Sequence, residues 1–175
     1  MNMPYIPDLP NHPRFNPFNL IWIILALLVL LILFVQIARA DVVSVAQSQI
    51  GLGEIGGNNK GVYVRQYLNG RENLPWCAGF ISYCFKKAGL NLPYTLRARD
   101  FIKLGKVVRN PQTGDLIIFS RQGGGHIGII EKVQGDTITT IEGNKGKYPA
   151  KVKRVVYKRN HIKNFLGFVR LARQK

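Results

Sequence analysis

The sequence predicts an α+β domain, with helices first and an antiparallel β-sheet after them, preceded by one apolar span. Three observations predict it. Residues 20–38, LIWIILALLVLLILFVQIA, carry no charge and one polar side chain, Gln36. Between residues 42 and 89, apolar residues recur at helical spacing. Beyond Gly114 the period shortens to that of strands, and glycine-rich turns separate the runs.

Taken in order, residues 1–19 hold Pro4, Pro7, Pro10, Pro13 and Pro17 and read as an irregular, exposed arm. A helix over residues 20–38 would be about 28 Å long, close to the roughly 30 Å hydrocarbon core of a bilayer. Every face of it is apolar, which argues against a half-buried helix of a soluble core. Two expectations follow. One is a transmembrane helix that anchors the chain in a lipid bilayer. The other is the apolar region of a signal peptide cleaved after Ala40, because Ala38-Arg39-Ala40 fits a small-x-small site. The run is longer than signal peptides use, and the segment before it is scarcely basic, since Asp8 offsets Arg14. The anchor is therefore the expected reading, and residues 41–175 are the globular domain.

Within that domain, Val42, Val45, Ala46 and Ile50 predict a helix over 42–50, and a second short helix runs from Val62 to Leu68. Pro75 opens the most strongly patterned helix. Cys77, Phe80, Ile81, Cys84, Phe85 and Ala88 form one apolar face, and Gly89 stops it. Residues 115–120, 126–133, 136–142, 151–157 and 165–171 read as strands. The turns are expected at Gly123-Gly124-Gly125, at Gln134-Gly135-Asp136 and over Gly143 to Pro149.

The formal net charge is +16, and after Glu142 eleven Lys and Arg follow with no acidic side chain. Such a field draws polyanions: nucleic acid, anionic lipid or anionic wall polymers. No nucleic-acid motif accompanies it, so no nucleic acid is expected as a partner. The two cysteines, if both on one helix, would have Cα atoms roughly 10 Å apart, beyond the roughly 7 Å reach of a disulfide. The histidines, His12, His126 and His161, are scattered and give no zinc pattern. No cofactor is expected.

Cys77 falls in the first turn of its helix, where unpaired N–H groups and the helix dipole favour a thiolate and can receive an oxyanion. It also falls on the apolar stripe, so burial in the core competes with that reading; Cys84, deeper on the stripe, is core. His126 follows three glycines and opens a strand. If residues 134–136 form a three-residue loop, His126 lies opposite Asn144, and Glu142 is its diagonal neighbour on the same face. Either could hold the imidazole in the tautomer a base needs. A two-residue loop at Gly135-Asp136 would turn Glu142 to the other face.

The runs PWCAGFISYCFKKAGL, GDLIIFS, GHIGIIEKV and TITTIEGN, in that order, resemble the CHAP family of cysteine, histidine-dependent amidohydrolases and peptidases. The related NlpC-type peptidases share its papain-like plan. The resemblance covers about residues 42–170. It implies a papain-like α+β fold and a thiol hydrolase that acts on bacterial peptidoglycan, at the N-acetylmuramoyl–L-alanine amide or within the stem peptide. Cys77 would be the nucleophile, His126 the base, Glu142 the orienting third residue and Asn144 a polar helper. The domain would then face the cell wall, from a bacterial envelope or a virion membrane; many members of the family belong to phages.

Two departures stand out. Some CHAP enzymes carry an acidic calcium loop before the nucleophile; here NGRENLPW has only Glu72. No Gln lies close before Cys77 to serve the oxyanion, Gln66 being eleven residues away. Two other readings stay open. One is a non-catalytic, membrane-tethered module that binds a polyanion through the basic C-terminal half. The other is a cysteine acyltransferase on the same scaffold.

Overall fold

The computed structural model describes residues 21–28 and 41–171. Two compact units divide the chain, Met1–Ala38 and Arg39–Lys175. In the first, residues 21–28 form helix α1, with its apolar side chains exposed. The rest of the expected span over 20–38 and the arm over 1–19 lie outside the described residues. Among the described residues no helix is long and apolar enough to cross a membrane.

In the second unit, helices α2 (Val42–Ser48), α3 (Val62–Tyr67) and α4 (Cys77–Lys87) come first, then a 3-10 turn at Ala98–Asp100 and a short helix α5 (Phe101–Leu104). Six strands follow: β1 (Gly105–Val108), β2 (Leu116–Arg121), β3 (Gly124–Gln134), β4 (Thr137–Lys145), β5 (Lys151–Lys158) and β6 (Phe165–Leu171). They form one sheet in the order β1-β6-β2-β3-β4-β5, with every pair antiparallel. The α+β layout is therefore as the sequence predicts. The short strand β1 and the turns at Ala98–Asp100 and Arg159–His161 are additions.

Strand alternation divides the apolar residues between two faces. Ile118, Ile127, Ile129, Ile141 and Val169 join Trp76, Phe80, Ile81 and Cys84 in a core between sheet and helices. Ile117, Phe119, Ile130, Ile138 and Phe168 form a smaller cluster on the other face. Helix α4 approaches the sheet closely because Gly143 has no side chain. A Cβ there would lie 2.7 Å from Phe80 Cβ.

All three turns differ from expectation; the one expected over Gly143 to Pro149 starts only after Lys145, because β4 runs on through Gly143-Asn144-Lys145. The β2–β3 turn is Gln122-Gly123, with Arg121 paired to Gly124, so two of the three glycines are strand. The β3–β4 turn is the two-residue Gly135-Asp136, with Gln134 paired to Thr137 and Gly135 at φ 54°. A regular hairpin on that turn would send Glu142 to the wrong face. A bulge between Ile130 and Lys132 takes up the extra residue and restores the expected pairing, Ile130 with Thr140 and Ile129 with Ile141. Glu131, the bulged residue, points to Arg154 at 2.7 Å and to Gln47 at 2.8 Å. The predicted register holds at Ile129 and Ile130 and fails at the turn.

Candidate active site

Helix α4 starts at Cys77 with Trp76 as its N-cap, and no side chain caps its first N–H groups. These remain free to bond an anion. Trp76 is fully buried, stacks on Tyr67 at 5.3 Å and donates its indole N–H to Glu54 at 3.3 Å. Glu54 is itself buried and accepts the N–H of Asn59 at 2.9 Å and of Ala150 at 2.7 Å. One carboxylate thus ties the start of α4 to two loops. Cys77 Sγ lies 3.9 Å from the Gly125 carbonyl oxygen, which places the thiol beside the start of β3. Cys84 is fully buried, and burial pushes its thiol well above the ordinary range.

His126 is the third residue of β3 and 4 % exposed. Its Nε2 lies 2.7 Å from Glu142 Oε2, and its Nδ1 is buried without a hydrogen-bond partner. With Nε2–H donating to the carboxylate, Nδ1 carries the free lone pair of the neutral ring. Burial works against the imidazolium. Cys77 and Glu142 beside it outweigh burial and raise its pKa above the ordinary 6.5.

Glu142 reaches His126 across a glycine. A Cβ at Gly128 would lie 2.7 Å from Glu142 Cγ, so the space over Gly128 is the path of the carboxylate. Glu142 is fully buried yet fully bonded. Thr140 Oγ1 and Tyr157 OH each donate to its Oε1 at 2.7 Å, and Lys145 Nζ sits 2.6 Å from its Oε2. Burial alone would push this carboxyl up. His126 first, then Lys145 and Tyr157, outweigh it and hold the pKa at about 2.

Of the four expected site residues, Cys77, His126 and Glu142 converge. Asn144 does not bond His126. It sits at φ 55° where the β4–β5 register shifts, a left-handed position that Asn tolerates, and it shapes a bulge. Gln66 is bonded to Tyr83 OH at 2.6 Å in the α3–α4 contact. Glu72 is held by the Gly61 N–H and by Arg65, both at 2.7 Å. Glu54, Thr140, Lys145 and Tyr157 were not singled out from the sequence. Thr140 and Glu142 share strand parity, which is a usable signal; Tyr157 comes from the regular pairing of β5 with β4, Glu54 from a loop and Lys145 from a bulge. A cleft of about 490 Å³ lies elsewhere, against Val107, Arg109, Arg159 and Phe165, and none of the four expected residues lines it.

A thiol at a helix start, an imidazole and a buried carboxylate are the parts of a cysteine hydrolase site. The CHAP domain family model matches residues 69–144, a stretch that includes Cys77, His126, Glu142 and Asn144. The resemblance read from the sequence is shown over that stretch. Among solved structures, the chain is similar to the peptidoglycan hydrolase RipB from Mycobacterium tuberculosis, at 20% identity and a TM-score of 0.51. That match covers 75% of this chain and 63% of the RipB chain, so the described fold spans under two thirds of that protein. It is also similar to the P60 domain of an antigen from M. avium subspecies paratuberculosis, at 19% identity and a TM-score of 0.50, over 77% of this chain and 94% of that one. No curated protein sequence matches. The fold is that of the NlpC/P60 domains.

Proposed function

We propose that this domain is a thiol hydrolase that cuts an amide or peptide bond of bacterial peptidoglycan. The observation that carries the reading is the state of His126: Nε2 is held by Glu142, Nδ1 is buried without a hydrogen-bond partner, and the Cys77 side chain lies beside the ring. Nδ1 takes the thiol proton, and Sγ attacks the carbonyl carbon. The N–H groups at the start of α4 receive the tetrahedral oxyanion. The C–N bond then breaks, and the imidazolium gives its proton to the leaving amine. Water, deprotonated by His126, hydrolyses the thioester and frees Cys77. Glu142 keeps the ring in the working tautomer and stabilises the imidazolium. Asn144 acts on the site only through the backbone it shapes.

In this reading residues 20–38 anchor the domain in a bilayer, facing the wall, in a bacterial envelope or a virion membrane. Full-length protein then stays with membranes through carbonate extraction. A mature chain beginning at Asp41 would instead make the segment a cleaved signal. A binding-only module is the second reading. It is favoured by the +16 charge and by Lys147, Lys151 and Lys153, which form none of the salt bridges found among the described residues. Incubation with purified cell walls separates the two. The hydrolase releases soluble fragments with new amino groups and loses this on Cys77→Ser. The binding module sediments with walls and releases nothing.

A further inference from the structure

In a regular strand, residues 142 and 145 point to opposite faces. Here they meet. Glu142 pairs with Lys153 and Lys145 with Lys151, so Gly143 and Asn144 together oppose Val152. That bulge, with Asn144 at φ 55°, turns Lys145 back onto the face of Glu142. Its Nζ lies 2.6 Å from Oε2, the same oxygen that faces His126 Nε2, and donates to Tyr157 OH at 2.9 Å. The Lys145 side chain is 29% exposed, so the ammonium keeps part of its hydration while it pairs with a carboxylate that has none.

We propose that Lys145 is a positioning residue of the site, which offsets part of the charge of Glu142 and thereby sets the pH at which His126 gives up its proton. The inference rests on His126 being the base, and it deepens that reading. An orienting carboxylate without a counter-charge would hold the imidazole protonated too far into the alkaline range. Lys145 opposes this in two ways. It competes for Oε2, and its own positive charge repels the imidazolium. Among the described residues the titratable and charged groups facing His126 are few. They are Cys77 from α4, Glu142 and Lys145 from β4, and Tyr157 from β5, which acts through Glu142. Arg99, in the 3-10 turn over Gly125, is bonded to Ser120 Oγ at 3.0 Å.

The test is the titration of the His126 ring by NMR in full-length protein in detergent, its signal assigned by loss in His126→Gln. Lys145→Met and Lys145→Gln should raise the midpoint by about one pH unit. Lys145→Arg, which keeps the charge, should leave it near the wild-type value. A midpoint that stays put or falls in both uncharged variants overturns the proposal. So does loss of fold in both, since the ammonium would then serve the fold. The readout needs no hydrolysis. Intact cell walls alongside a shifted midpoint would sink the hydrolase reading and leave the role of Lys145 standing. Lysis with no shift does the reverse.

Discussion

Cys77 and Cys84 lie about two turns apart on one face of α4, and both are buried. Cys84 is enclosed by the aromatic core, where burial keeps it a thiol. Cys77 is at the helix start, against the Gly125 carbonyl and next to His126. The apolar stripe records only that both face inward. What separates them is distance from the helix end, because the unpaired N–H groups extend over one turn. A buried cysteine becomes a candidate nucleophile through where the helix begins.

The largest effect should come from substituting each cysteine in turn. Cys77→Ser should lower fragment release from cell walls by at least about 10³-fold while the fold persists. Cys84→Ala should keep most of the activity and lose about 1 kcal/mol of stability to the cavity it leaves. The opposite pattern, in paired denaturation and activity measurements, would move the nucleophile to Cys84.

A smaller effect sharpens the sheet side of the site. Glu142→Gln should lower turnover on the order of 10²- to 10⁴-fold. It should also change acid stability. The carboxyl of Glu142 is held at about 2 against an ordinary 4.5, so its contribution is complete above about pH 4.5 and is lost as pH falls toward 2. The raised pKa of His126 works oppositely: its contribution is present at acid pH and fades as pH climbs past 6.5 through the raised value. Thermal melts from pH 2 to 9 should show both limbs in the wild type. The acid limb should flatten in Glu142→Gln.

Smaller again are the glycine and turn effects. Gly128→Ala puts a methyl 2.7 Å from Glu142 Cγ, and Gly143→Ala puts one 2.7 Å from Phe80 Cβ. Each should cost about 1–3 kcal/mol. The first should reduce activity more than the second, because it displaces the carboxylate itself. Asn144→Gly should be nearly silent, whereas Asn144→Val, forced to positive φ, should lose about 1–3 kcal/mol.

Helix α4 and the five longer strands follow from periodicity, and Cys77 from the break at Pro75. At Ile129 and Ile130 the expected register holds only because a shorter turn and a bulge cancel. The turn is one residue shorter than expected, and the bulge at Glu131 returns that residue. Nothing in the local pattern announces that bulge, since the Gln47 and Arg154 that hold Glu131 come from elements distant in sequence. Lys145 was invisible for the same reason: parity sends it away, and only the bulge at Gly143-Asn144 turns it back. Strand β1 was missed because its four residues, flanked by Lys103 and Arg109, form a strand only by pairing with β6.

In the proposed reaction Cys77 acts on peptidoglycan with His126 as its base. Its most direct test is the appearance of free amino groups when full-length protein meets purified cell walls, followed side by side for wild type, Cys77→Ser and His126→Gln. Wild type should release them and neither variant should do so above background, with all three folded. Release by Cys77→Ser at the wild-type rate, or none from folded wild-type protein, would contradict it.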